Sequence, residues 1–111
     1  MGYTINGQSQ DLPAPIERDG ITYLPLAKVV ETLGGYVTWL NDAKTVSVEL
    51  GDQTVEVQQG SARVNENGGV TSLAGETFNE GGTIWVASNF FSDVLGCSVD
   101  INGEDVTVSA P

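Results

Sequence analysis

The sequence predicts an α+β fold, mainly antiparallel sheet with two short helices, built from two degenerate copies of a strands–helix–hairpin unit. Three observations predict it. First, an internal repeat runs through most of the chain. Superposing Leu33-Gly34 on Leu95-Gly96 also brings Gly20 onto Gly82, Tyr23 onto Trp85, Leu24 onto Val86, Val29 onto Phe91 and Val37 onto Val99. After a small shortening, Val46 falls on Val106 and Val48 on Val108. Second, short alternating apolar runs are separated by glycine-bearing turns, which is the pattern of antiparallel strands. Third, one stretch in each copy carries apolar residues at helical spacing.

The elements follow in order. Tyr3 opens a strand pattern at once, so Met1-Gly2 reads as an added start, and any export signal is expected upstream. Ile5-Asn6 matches Val64-Asn65 loosely, as Leu12 matches Leu73. Leu26, Val29, Val30 and Leu33 stand at i, i+3, i+4 and i+7, one stripe of a first helix. Pro25 suits its first turn and Gly34-Gly35 supplies a left-handed stop. Val37, Trp39, Val46 and Val48 then share one face of a hairpin around Asn41 to Lys44. Gly51-Asp52 and Gly60-Ser61 read as turns that flank a strand, with Val55 and Val57 inward.

In the second copy, Ser88 is the expected N-cap of a helix through Leu95, with Ala87, Phe91, Val94 and Leu95 inward. Asn102-Gly103 favours a type I′ turn, which would pair Ile101 with Glu104, Val99 with Val106 and Cys97 with Val108. Cys97 then lies among valines as a small core hydrophobe. Both helices are too short to stand alone, so a sheet must hold them. Residues 1–111 are expected to form one domain, with copy one at about 3–50 and copy two at about 53–109 around one core.

Composition narrows the function. Fifteen Asp and Glu face four Lys and Arg, a formal net charge of −11. Such a surface repels phosphates and anionic membranes, so no nucleic acid is expected as a partner. No apolar run reaches the length that spans a bilayer. With no histidine, one cysteine and only the starting methionine, no nitrogen–sulfur set for copper or zinc can assemble. A histidine-activated nucleophile fails for the same reason. Asp100-Ile101-Asn102-Gly103-Glu104-Asp105 echoes a calcium loop but lacks the closing glutamate, and reads as a hairpin turn. Asn65 to Gly69 reads as a strand connection. None of the 14 glycines fits a phosphate-binding loop. The expectation is no cofactor, no metal site and no catalytic residue.

Aromatic side chains are the remaining functional signal. Trp39 and Trp85 fall on apolar strand faces and are expected in the core. Tyr36 lies opposite Val37 on its strand and is the one candidate ligand contact.

The residues also resemble a known family. The run Thr22-Tyr23-Leu24-Pro25-Leu26, a helix ending at Leu33-Gly34, then Val37-Thr38-Trp39 and Thr45-Val46-Ser47-Val48 resembles the copper amine oxidase N-terminal-like (stalk) domain. Ile5-Asn6-Gly7 and Leu12-Pro13-Ala14-Pro15 resemble that family's opening strands. Ile21 and Ala27 stand where the family commonly has arginine. In the second copy those places hold Thr83 and Asn89, with Ala87 for the proline and Ile101 for the tryptophan. The resemblance implies an α+β fold and a non-catalytic structural or adaptor role in exported, cell-wall-associated proteins of Firmicutes. It therefore implies an extracellular or cell-wall location and, as partners, the other domains of a larger parent protein. The alternative is a carbohydrate- or cell-wall-binding module, with cell-wall polysaccharide as partner. A sheet of this kind also leaves unpaired edge groups, through which a homodimer could form.

Overall fold

The computed structural model describes residues 2–39, 45–66, 69–103 and 105–111. Its strands are β1 (Gly2–Ile5), β2 (Gln8–Gln10), β3 (Ile16–Arg18), β4 (Ile21–Pro25), β5 (Tyr36–Trp39), β6 (Thr45–Leu50) and β7 (Gln53–Gln58). They continue as β8 (Arg63–Glu66), β9 (Gly69–Ser72), β10 (Phe78–Glu80), β11 (Thr83–Ala87), β12 (Ser98–Asn102) and β13 (Asp105–Ser109). Helix α1 (Leu26–Thr32) follows β4, and a single π-helical turn (Phe90–Val94) follows β11. Each half thus runs hairpin, helical turn, hairpin. The fold is α+β and mostly antiparallel.

The strands form three sheets. Their orders are β12-β13-β1-β2, β10-β11-β4-β3 and β5-β6-β7-β8-β9. Beyond the hairpins the sequence pattern assigned faces but not partners, and the two halves turn out to be interleaved. In the second sheet, β4 of the first half pairs with β11 of the second, with Leu24 opposite Val86. In the first sheet, β1 lies parallel to β13, Tyr3 opposite Val106 and Ile5 opposite Val108. Burial follows the alternation: Val46, Val48, Val55, Val57, Val106 and Val108 are all buried. They join the two helical turns and the central strands in one apolar cluster drawn from both halves.

Helix α1 forms as its spacing requires, with Leu26, Val29 and Val30 buried. Pro25 precedes the first turn as the last residue of β4 and the N-cap position. At the far end, Gly34 N–H donates to Glu31 O and Gly35 N–H to Val30 O, at 3.0 and 2.9 Å. These two bonds are a Schellman closure. It needs a left-handed residue, and Gly34 has φ 95°. Gly35 is required for a different reason: a Cβ there would run into the Glu49 carbonyl oxygen and Val30 Cγ1.

The second helical turn departs from expectation. Ser88 is not its cap: Ser88 N–H donates to Thr22 O across to β4, and Asn89 takes the N-cap position without a side-chain cap bond. The turn is π-helical, closed by Leu95 N–H to Phe90 O at 3.2 Å. This i→i+5 bond widens the ring by one residue. The turn carries two adjacent phenylalanines, Phe90 and Phe91, both fully buried and edge-to-face with centroids 5.2 Å apart.

The β12–β13 hairpin also differs. Asn102 pairs with Asp105, Ile101 with Val106 and Val99 with Val108. The two-residue connection is therefore 103–104, not Asn102-Gly103; Glu104 lies outside the described residues. Asn102 does not adopt the positive φ that a type I′ turn demands there, whereas Gly103 does, at 64°. The register is displaced by two residues, which leaves every side chain on its expected face. Cys97 is not in the ladder. Its N–H donates to Phe91 O at 2.8 Å, closing the π-turn, while its side chain is buried as expected.

Candidate functional site

Three surface features have enough shape or chemistry to be weighed. The first is the rim of the five-stranded sheet at β5. Tyr36 is 70% exposed and Trp39 48% exposed. Tyr36 thus sits where the alternation placed it. Trp39 does not: it pairs with Val46 on the inward face, yet half its surface meets water. The strand is an edge, so an inward-facing indole there has a sheet neighbour on one side only. It lines a small groove of about 140 Å³ with Leu26, Lys28, Val37, Thr83 and Ile84. The connection Asn41 to Lys44, which the sequence reading places beside it, lies outside the described residues. Tyr36 and Trp39 differ by an odd number of residues, so they project from opposite faces of β5. They do not form one stacking platform. Trp85, by contrast, is buried as expected.

The second feature is a polar cleft of about 590 Å³ that includes Arg18, Asp19, Gln59, Glu76, Thr77 and Asn79. Arg18 lies over the Phe78 ring at 4.0 Å and its Nη2 donates to Glu80 Oε1 at 2.6 Å. Tyr23 adds to this cluster, its ring edge-on to Phe78 at 4.9 Å. Thr77 is 1% exposed and its Oγ1 has no partner among the described residues, although its backbone is tied to Gly60 and Ser61. Sequence reasoning singled out neither Arg18 nor Thr77. The only signal for Arg18 was its being one of four cations, which gives no position.

The third is a groove of about 460 Å³ beside Tyr3, Gln10, Leu12 and Pro15. The Tyr3 hydroxyl donates to Pro13 O at 2.6 Å, and burial pushes its phenol above the ordinary tyrosine range. A phenol held neutral and already donating is a structural anchor, not an acid–base group. Burial likewise pushes the Cys97 thiol up, which disfavours the thiolate that nucleophilic or metal chemistry would need.

The acids do not converge. Every described Asp and Glu is exposed or half-exposed, and among the described residues no three His, Cys, Asp or Glu lie close enough to hold a metal ion. Asp100 lies on β12 opposite Thr107, and Asp105 on β13 opposite Asn102. The segment 100–105 is thus hairpin, apart from Glu104, which lies outside the described residues. Asn65 and Glu66 end β8 and Gly69 opens β9, a strand connection whose middle lies outside the described residues. Arranged this way, the groups on the surface can bind through hydrogen bonds or stacking. Among the described residues they offer no paired acid and base.

The family model of the copper amine oxidase N-terminal domain matches residues 4–110. No curated protein matches the chain.

Proposed function

The chain belongs to the copper amine oxidase N-terminal domain family, and from that premise we propose that it is a non-catalytic, stalk-like structural module. In this reading it positions the other domains of a larger, exported parent protein at the cell surface or in the cell wall. The N-terminal domain of copper amine oxidases is an accessory to catalysis, and its match covers nearly the whole chain. The observation that carries the reading is the use of the side chains. Apart from Tyr36, Trp39 and Val70, the large apolar groups of both halves are committed to one core, and the described acids are spread over the surface. On the same reading, 1–111 is one domain made of two copies, about 3–50 and 53–109. The hairpin–helix–hairpin order of each half supports that.

The test is excision from the parent protein. The neighbouring domains should keep their turnover or binding in solution, while their accessibility to antibody or protease on intact cells falls. A loss of turnover per molecule in solution would contradict the reading.

The exposure of Tyr36 and Trp39 favours one second reading, a module that binds cell-wall polysaccharide. Retention of the wild type on insoluble peptidoglycan, lost in Trp39→Ala or Tyr36→Ala with an unchanged melting temperature, would support it. Equal elution of wild type and variants would end it.

A further inference from the structure

The placement of the two terminal strands carries a mechanical consequence. We infer that the parallel β1–β13 pair is a shear clamp that lets the domain bear tension along its parent protein. This rests on the stalk reading, which sets the domain in series between others.

Strand β1 is entered at Gly2, beside Asp105, and β13 is left at Ser109, just past Val108, the partner of Ile5. The two strands run in the same direction side by side. A pull on the entering chain therefore drags β1 toward its start, while a pull on the leaving chain drags β13 toward its end. Both pulls lie along the strand axes and oppose each other. The inter-strand bonds are loaded together and must fail together, whereas bonds pulled open from one end fail one at a time. At about 3.3 Å per residue, the four paired positions of β1 spread that load over roughly 13 Å.

Two further observations strengthen the clamp. These are the two central strands of their sheet, and their inward side chains Tyr3, Ile5, Val106 and Val108 are 0–2% exposed. Water therefore has poor access to the bonds on that face. Slipping by one residue would also turn the buried set outward, so the pair has no easy intermediate register. Past the end of β1, Asn6 lengthens the ladder. Its N–H donates to Val108 O at 2.9 Å, and its Oδ1 accepts the Ala110 N–H at 2.8 Å. Asn6 sits at φ 53°, a left-handed conformation that asparagine tolerates better than most residues. No other pair of neighbouring described strands in the fold is parallel, and this one joins the two ends of the chain.

Single-molecule force spectroscopy tests this on the whole chain in two pulling geometries. One applies force through the two termini. The other applies it between the N-terminus and residue 102, using Asn102→Cys in a Cys97→Ala background, where both handles sit at the same end of the sheet. Terminal pulling should give a severalfold higher rupture force at the same loading rate. Asn6→Ala should lower the terminal rupture force and leave the other geometry unchanged, and Asn6→Asp, which keeps the acceptor, should restore it. Equal forces in the two geometries would overturn the clamp while leaving the stalk reading standing. Failure of the excision test would remove the stalk reading whatever the forces are.

Discussion

Helix α1 and the π-turn occupy the same place in their two halves, each between a hairpin in the shared sheet and the hairpin that follows, yet they are built differently. Helix α1 buries residues at i, i+3 and i+4, and glycine closes it through Schellman bonds. The π-turn buries Phe90, Phe91, Val94 and Leu95, at i, i+1, i+4 and i+5, and is closed by bonds from Leu95 and Cys97. The difference teaches that one place in the two halves can be filled by backbone rings of different size: α1 holds its adjacent buried Val29 and Val30 in an α-turn, and Phe90 and Phe91 sit in a wider one.

The sharpest way to break this comparison is to remove one of the rings. Phe91→Ala deletes a fully buried aromatic and should lower unfolding free energy by about 3–5 kcal/mol in a urea titration. A cost below about 1 kcal/mol would show that the Phe91 ring is not an anchor of the shared core.

The closing glycines come next. Gly35→Ala forces a Cβ against the Glu49 carbonyl oxygen and should cost about 3 kcal/mol. Gly96, at φ 77°, has only Pro111 carbon atoms near such a Cβ, at 3.9 Å or more. Its alanine variant should cost about 1 kcal/mol, from backbone strain alone. Equal midpoints for the two variants in thermal melts would show that the close approach at Gly35 is not what distinguishes the first half.

A smaller effect concerns Asn89. Its Oδ1 accepts the Ala74 N–H and its Nδ2 donates to Asp93, whereas the matching position in the first half, Ala27, has no side-chain polar group. Asn89→Ala should cost about 1 kcal/mol by chemical denaturation, because this side chain ties the π-turn to the backbone of Ala74.

Alkaline pH sharpens the contrast last. Burial raises the acid pKa of Tyr3 in the first half and of Cys97 in the second. The unfolded chain releases those protons more readily, so their contribution to stability is whole at neutral pH. It declines above about pH 8.5 for Cys97 and above about pH 10 for Tyr3. Cys97→Ala should remove the earlier decline in melting temperature and Tyr3→Phe the later one.

Much of this was legible in the sequence because side-chain alternation assigns faces. Val46, Val48, Val55, Val57, Val106 and Val108 all point inward as read, and the stripe of α1 is where its spacing placed it. Three things were hidden. The β12–β13 register slips by two, and a two-residue slip preserves every face, so the apolar pattern cannot see it. Trp39 keeps an inward face yet stays half in water, because being on an edge strand is a property of the sheet order. The parallel contact of β1 with β13 joins opposite ends of the chain and leaves no local signature. At the surface, the exposure of Tyr36 was readable from strand parity. The Arg18–Phe78–Glu80 cluster and the orphaned Thr77 hydroxyl depend on three-dimensional closeness between distant segments.

The account rests on the two halves sharing one interior. A urea titration followed by two-dimensional amide NMR tests this directly, with Val48 reporting on the first half and Val108 on the second. Both folded cross-peaks should fade together, with one midpoint that coincides with loss of circular dichroism. Two separate midpoints, with one half still folded after the other is lost, would contradict the account.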